Sequence, residues 1–137
     1  MKNKYILGEL IGSCFLVMII VGSGIMAENL TDDYAVMLIA NTLATGAGLF
    51  VLITVFADVS GAHFNPFVSF VMYLAGKLKR KLLFNYIAAQ IIGCLTGVGV
   101  ANFFFELPIC FSLLYSFNPC KKINRCRLKY LLLCKYF

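Results

Sequence analysis

The sequence predicts an all-α membrane protein with three transmembrane helices and one re-entrant half-helix. Three observations carry that expectation. Of 137 residues, 61% are hydrophobic and the mean hydropathy is +0.89, which excludes an ordinary soluble domain. The runs 5–26, 35–57 and 82–105 hold a single charge among them, Glu9, and each exceeds the roughly 18 apolar residues that mark a transmembrane candidate. Finally, Ser60-Gly61-Ala62-His63-Phe64-Asn65-Pro66 interrupts the apolar pattern and opens a short apolar stretch, 66–76, that closes on Lys77-Leu78-Lys79-Arg80-Lys81.

The first run follows Lys2 and Lys4. Its length, and the lack of a small-residue cleavage pattern before Glu28, mark it as a retained span rather than a signal peptide. The positive-inside rule puts the N-terminus in the cytoplasm. The first span then exits to a loop bearing Glu28, Asp32 and Asp33 and no basic residue. The second span returns to Asp58, a cytoplasmic loop charge or local cap. The chain then dips into the membrane, comes back to the basic loop at 77–81, and the third span exits at Glu106. The expected localisation is a multi-pass protein of the cell membrane.

The stretch 66–76 has 11 residues, so as a helix it is about 16 Å long, half of a ~30 Å hydrocarbon core. Anchored at one face by basic residues, it places Asn65 and its own N-terminus near the midplane. Free backbone N–H groups and the positive end of the helix dipole face whatever fills that site. Irregular backbone at this depth survives only when buried in protein or lining a wet cavity, which is how a pore is built.

The formal charge of +6 does not point to nucleic acid. Basic and acidic residues balance up to Cys120, and Lys121, Lys122, Arg125, Arg127, Lys129 and Lys135 supply the whole excess. Cysteines are skewed the same way, with Cys110, Cys120, Cys126 and Cys134 in the tail against Cys14 and Cys94 before it. Without a Cys-x-x-Cys pair, and with His63 the one histidine, no metal site or cofactor is expected. The spacings Gly8/Gly12 and Gly93/Gly97 read as ordinary transmembrane packing rather than a dimerisation face. Residues 109–137 show neither a span nor an amphipathic period. They fit a peripheral or disordered tail or, the preferred expectation, sequence read in a shifted frame. A basic tail that binds anionic lipid is a weaker alternative.

The segment 60–69, Ser60-Gly61-Ala62-His63-Phe64-Asn65-Pro66-Phe67-Val68-Ser69, resembles the first Asn-Pro-Ala box of the aquaporin, or major intrinsic protein, family. Gly8-Glu9-Leu10-Ile11-Gly12-Ser13 is similar to the start of that family's first helix, and Tyr86-Ile87-Ala88-Ala89-Gln90-Ile91-Ile92-Gly93 to its third. The resemblance covers about residues 4–108. It implies one inverted repeat of the aquaporin fold, domain 1–108, with the opposing repeat missing and the chain truncated. Asn118-Pro119-Cys120 is not a second box, because no further spans precede it and Lys121-Lys122 follows where an apolar half-helix would begin.

By that resemblance, Asn65 donates its side-chain amide to a passing water or hydroxyl oxygen while Pro66 opens the half-helix. Gly61, Ala62 and His63 line the same pore, and His63 is expected to be a hydrogen-bonded structural residue rather than a titrating gate. Phe67 replaces the box alanine. Glu9 becomes a buried carboxylate holding the re-entrant backbone, short of partners without its inverted twin, and Gln90 is a second buried polar residue between helices. Thr45 falls at the constriction position of the second helix, where water-selective members generally carry an aromatic, and implies a wider or more polar opening.

The expected function is therefore a passive channel, not an enzyme, for water or small uncharged solutes. It would sit in the lipid bilayer as a homo-oligomer or pair with a second-half chain. The alternative is a non-conducting remnant or membrane interaction protein that needs a partner.

Overall fold

A computed structural model describes residues 3–107. Within them the chain forms four helices and no strand: α1 (Asn3–Leu30), α2 (Tyr34–Ser60), α3 (Pro66–Leu74) and α4 (Arg80–Phe104). The expectations for 109–137, including the rejected box at Asn118, lie outside the described residues. Helices α1, α2 and α4 contain 28, 27 and 25 residues, about 37–42 Å each and longer than the hydrocarbon core. All three are apolar enough to cross a membrane. They outrun the apolar stretches because polar flanking residues such as Asn3 and Ser60 continue the backbone ladder instead of ending it.

The ends have local causes. Asp33, in extended conformation, caps α2 by accepting a hydrogen bond from the Ala35 N–H at 2.8 Å, the usual role of Asp at this position. Gly61 closes α2 at φ 87°, a left-handed conformation that glycine adopts without a Cβ penalty, and its N–H donates to the Ala57 carbonyl. Helix α3 ends at Leu74, two residues short of the expected 76, for a similar reason. Gly76 has φ 72°, its N–H donates to Tyr73 O and that of Lys77 to Met72 O, both at 3.0 Å. This double bond pattern ends a helix with a left-handed glycine. Pro66 occupies the first turn of α3, where its missing N–H costs nothing.

Helix α1 is the centre of the bundle, packed on α4 along one side and on α2 along another, while α3 packs chiefly on α4. The buried positions of α4 (Leu83, Tyr86, Gln90, Gly93, Gly97 and Ala101 among them) recur every three or four residues, the stripe expected of one helical face. Its two glycines remove side chains where α1 passes. A Cβ on Gly93 would meet the carbonyl oxygen of Leu10, and one on Gly97 that of Cys14. Leu10 faces Gly93 and Cys14 faces Gly97, so α1 and α4 run in the same direction. Both G-x-x-x-G spacings are thus used within the chain, since Gly8 and Gly12 receive Ser60 and Phe64. Close backbone approach of this kind stands in for a hydrophobic drive that lipid does not supply between apolar helices.

Helix α2 buries only Leu52 and Ser60. Phe50 and Leu38 are 72% and 69% exposed, a surface suited to lipid. Its threonine hydroxyls are nonetheless satisfied, Thr42 donating to Leu38 O at 2.7 Å and Thr54 to Phe50 O at 2.8 Å, as an apolar medium requires. Asn41 Nδ2 ties α2 to α1 through Ile20 O at 3.3 Å.

Replacing Gly97 by leucine drives a side chain into α1 backbone, whereas Gly99 has open space. Gly97→Leu is expected to cost about 1–3 kcal/mol, and Gly99→Ala to be neutral or to stabilise by about 0.5–1 kcal/mol. Denaturation of the two variants by sodium dodecyl sulfate in mixed micelles checks this; equal behaviour contradicts the α1–α4 contact.

Candidate functional site

Between α2 and α3 the chain takes a conformation that side chains ordinarily avoid. Gly61, Ala62 and Phe64 all have positive φ, at 87°, 50° and 49°. For the two non-glycine residues this strain costs on the order of 1–3 kcal/mol each and persists only where surroundings over-determine it. The determinant here is Glu9 of α1, which is fully buried. Its Oε1 accepts from the Ser60 hydroxyl at 2.8 Å and the His63 N–H at 3.0 Å, and its Oε2 from the Phe64 N–H at 2.7 Å and Gln90 Nε2 at 2.8 Å. Glu9 is therefore not short of partners, contrary to the expectation drawn from the missing repeat. Every donor comes from this chain, so the inverted twin is not needed to satisfy it.

A second layer fixes the donors. Gln90 Nε2 also donates to Ser69 Oγ at 2.9 Å, and Ser69 Oγ lies 3.1 Å from His63 Nδ1. The Tyr86 hydroxyl donates to Ser60 O at 2.7 Å, while the Ala62 N–H donates to Ser60 Oγ at 3.3 Å. The rings of His63 and Tyr86 meet edge to face with centroids 5.4 Å apart. Opposite this polar side, the Phe64 ring is buried in the notch left by Gly12, where a Cβ would collide with it, and meets Phe56 edge-on at 5.8 Å. The loop is thus clamped by hydrogen bonds on one side and by ring packing on the other.

Two consequences follow for the groups left over. All peptides in the described residues are trans, so N–H and C=O of each unit point in opposite directions. With the His63 and Phe64 N–H groups turned to Glu9, the carbonyls of Ala62 and His63 are turned away from it. Asn65 caps α3 through Oδ1, which accepts from the Phe67 N–H at 2.8 Å. Its remaining polar atom, the donor Nδ2, stays on an exposed residue. The Ser69–Gln90 contact lies ten residues into α4, about 15 Å from its start, and Asn65 is a further turn along α3 from the α3–α4 connection.

The structure brings Glu9, Gly61, Ala62, His63, Asn65, Pro66 and Gln90 into or next to one cluster. Thr45 is not part of it. It lies fifteen residues before the end of α2, about 22 Å away along the helix, half-buried, with its hydroxyl donating to Asn41 Oδ1 at 3.1 Å. Phe67, at the first turn of α3, is 71% exposed. Sequence reasoning missed Ser60, Phe64, Ser69 and Tyr86 as cluster members. Tyr86 and Gln90 are one helical turn apart, and Ser60 and Ser69 flank the Asn-Pro pair within apolar sequence; that spacing is the signal that could have found them.

A re-entrant half-helix held by a buried carboxylate, beside three helices of spanning length, defines a membrane protein built as half of an aquaporin fold. The model of the major intrinsic protein family matches residues 1–121, and the chain belongs to that family. It is 50% identical over 100 residues to aquaglyceroporin AqpS of Rhizobium meliloti (strain 1021), covering 73% of this chain and 43% of that protein. It is 33% identical to aquaporin TIP1-1 of Arabidopsis thaliana, covering 82% and 55%, and 38% identical to aquaporin-8 of Notomys alexis, covering 69% and 34%. The chain thus spans about half the length of these relatives, or less.

Glu9→Gln converts one carboxylate oxygen into a donor and leaves two of the four donors unmatched, at about 1–3 kcal/mol each. The expected outcome is unfolding at clearly lower mole fraction of sodium dodecyl sulfate in mixed micelles. Unchanged unfolding contradicts the role assigned to Glu9.

Proposed function

We propose that this chain forms the pore-bearing half of a passive membrane channel for water or small uncharged solutes. The observation that carries the reading is the arrangement at Asn65. With Oδ1 committed to the helix cap, Nδ2 is the group left to donate to a solute oxygen. The carbonyls of Ala62 and His63, turned from Glu9, supply acceptors alongside. The N-terminus of α3 adds a positive end that opposes cations and protons. A neutral molecule with both donor and acceptor character can exchange hydrogen bonds along such a row, whereas an ion loses hydration it does not regain. The N-terminus and the basic loop at 77–81 lie in the cytoplasm by the positive-inside rule, and the protein sits in the cell membrane.

Thr45 supports a constriction wide enough for more than water. The relative that is 50% identical is named an aquaglyceroporin, which makes glycerol the first larger solute to test. A second reading, conduction only after pairing with another copy or a second-half chain, is favoured by one observation. Helix α3 has α4 as its chief neighbour, which leaves Phe67, next to the Asn65 cap, 71% exposed and Leu74, at the far end of the helix, 67% exposed.

Osmotic swelling of proteoliposomes tests the reading. The native chain is expected to raise water permeability above that of empty vesicles and Asn65→Asp, which removes the donor and adds a charge, to abolish the increment. Native permeability no greater than that of empty vesicles sinks conduction by the chain alone and leaves the paired assembly. In a conducting preparation, Thr45→Phe is expected to lower glycerol flux more than water flux; equal reductions contradict Thr45 as the selective position.

A further inference from the structure

The charges outside the Glu9 cluster are sorted by face. Helix α1 and helix α4 run in the same direction, so their starts share one end of the bundle. At that end lie Lys4, Lys77, Lys79, Arg80 and Lys81, all exposed, against a single exposed acid, Asp58. At the other end lie Glu28, Asp32, Asp33 and Glu106, without a described cation. Lys4 sits over the Tyr5 ring at 5.1 Å. The side chains of Lys77, Lys79, Arg80 and Lys81 make no hydrogen bond or ion pair among the described residues. Four cations within five residues repel one another, and no acidic side chain among the described residues pairs with them.

The backbone beneath them adds to the same field. Helix α4 starts at Arg80 with Lys79 at the cap position, and Lys79 makes no side-chain cap bond. The N–H groups of Leu82 and Leu83 donate to Lys79 O, which leaves those of Arg80 and Lys81 without an intrahelical acceptor or a side-chain cap, and the dipole of the 25-residue helix presents a positive end there. The loop is held by the hydrogen bonds that close α3, from Gly76 and Lys77, so the cations are displayed on a structured turn at the level where three apolar helices leave the bilayer.

We propose that the 77–81 turn is a binding surface for the headgroups of anionic phospholipid. The phosphate of a lipid in the adjoining leaflet lies at the height of these side chains. A row of lysine and arginine just outside a transmembrane helix is the arrangement that attracts anionic headgroups. Arg80 offers the planar fork that pairs with two phosphate oxygens, and the lysines offer point charges. A lipid is favoured over a soluble anion because the outer sides of α3 and α4 are apolar and exposed here, Leu74 and Phe84 at 67% and 61%, and give acyl chains a surface beside the charges. This surface is separate from Asn65 and does not depend on conduction.

The test uses the full chain reconstituted in phosphatidylcholine bilayers with spin-labelled phosphatidylglycerol or spin-labelled phosphatidylcholine as probe. The motionally restricted fraction of each label gives their relative affinity for the protein surface. The native chain is expected to favour phosphatidylglycerol by about fivefold or more, the worth of one lysine or arginine at an anionic surface, and to lose that preference as sodium chloride is raised. K77Q/K79Q should lower the preference, and K77Q/K79Q/R80Q/K81Q should bring it to parity. Changing Lys121, Lys122, Arg125, Arg127, Lys129 and Lys135 to glutamine should leave it in place. Parity in the native chain overturns the proposal, as does a preference that survives the loop variants or disappears only with the tail variant. Inorganic phosphate that displaces the labelled lipid better than chloride at equal ionic strength makes this a free-anion site and overturns the lipid assignment. Should the fourfold variant fail to reconstitute, the double variant and the salt titration still decide the matter.

Discussion

The structure rests on one carboxylate. Glu9 stands in an apolar helix where a charged side chain costs about 2.5–3.5 kcal/mol at mid-membrane, and a buried acceptor without donors is worse. The re-entrant loop has the complementary problem. Its N–H groups at His63 and Phe64 leave the α2 ladder and, in the absence of water, need acceptors. Each solves the other. Four donors at 2.7–3.0 Å converge on the two oxygens, and through Ser60, His63, Phe64 and Gln90 the carboxylate joins α1 to α2, the loop and α4. The positive φ values at Ala62 and Phe64 are tolerable because the hydrogen bonds that depend on them are numerous and shielded from solvent.

That solution turns part of the loop inward and the rest outward. Peptide planarity means that N–H groups directed at Glu9 send the neighbouring carbonyls the other way, and capping by Asn65 Oδ1 leaves the amide nitrogen uncommitted. The groups available to a permeating molecule are therefore by-products of how the loop is held. Packing reinforces this. The Phe64 ring in the Gly12 notch and the α4 glycines against α1 carbonyls bring backbone close enough for Glu9 and Gln90 to reach. A methyl group on Gly93 or Gly97 would push apart the helices that carry the two side chains, and one on Gly12 would displace the Phe64 ring and the loop with it.

Much of this was legible in the sequence, for specific reasons. The three long helices follow from runs of apolar residues too long for anything else, and the half-helix follows from Pro66 and the basic stop at 77–81. Glu9 and Gln90 stand out because polar residues in such runs are expensive. What was not legible depends on contacts between distant segments. Nothing local to Glu9 reveals that this chain alone supplies four donors. Ser60, Ser69 and Tyr86 become members of the cluster only once α4 lies along α1. Phe64 looks like one more apolar residue until Gly12 is placed beneath it. Two of the helix ends that differ from the apolar runs, the end of α2 three residues beyond 57 and that of α3 two residues before 76, are set by the left-handed glycines Gly61 and Gly76 rather than by hydropathy.

The Glu9 carboxylate is bonded directly to the backbone of the re-entrant loop. Solid-state NMR of the chain in lipid bilayers, with 13C at Glu9 Cδ and 15N at Phe64, measures it through the dipolar coupling between the two nuclei. A hydrogen bond of ordinary length places them within about 4 Å, and strong dephasing is the expected result. Its absence in folded, reconstituted protein would mean that something else holds the loop, and the account built on Glu9 would fail.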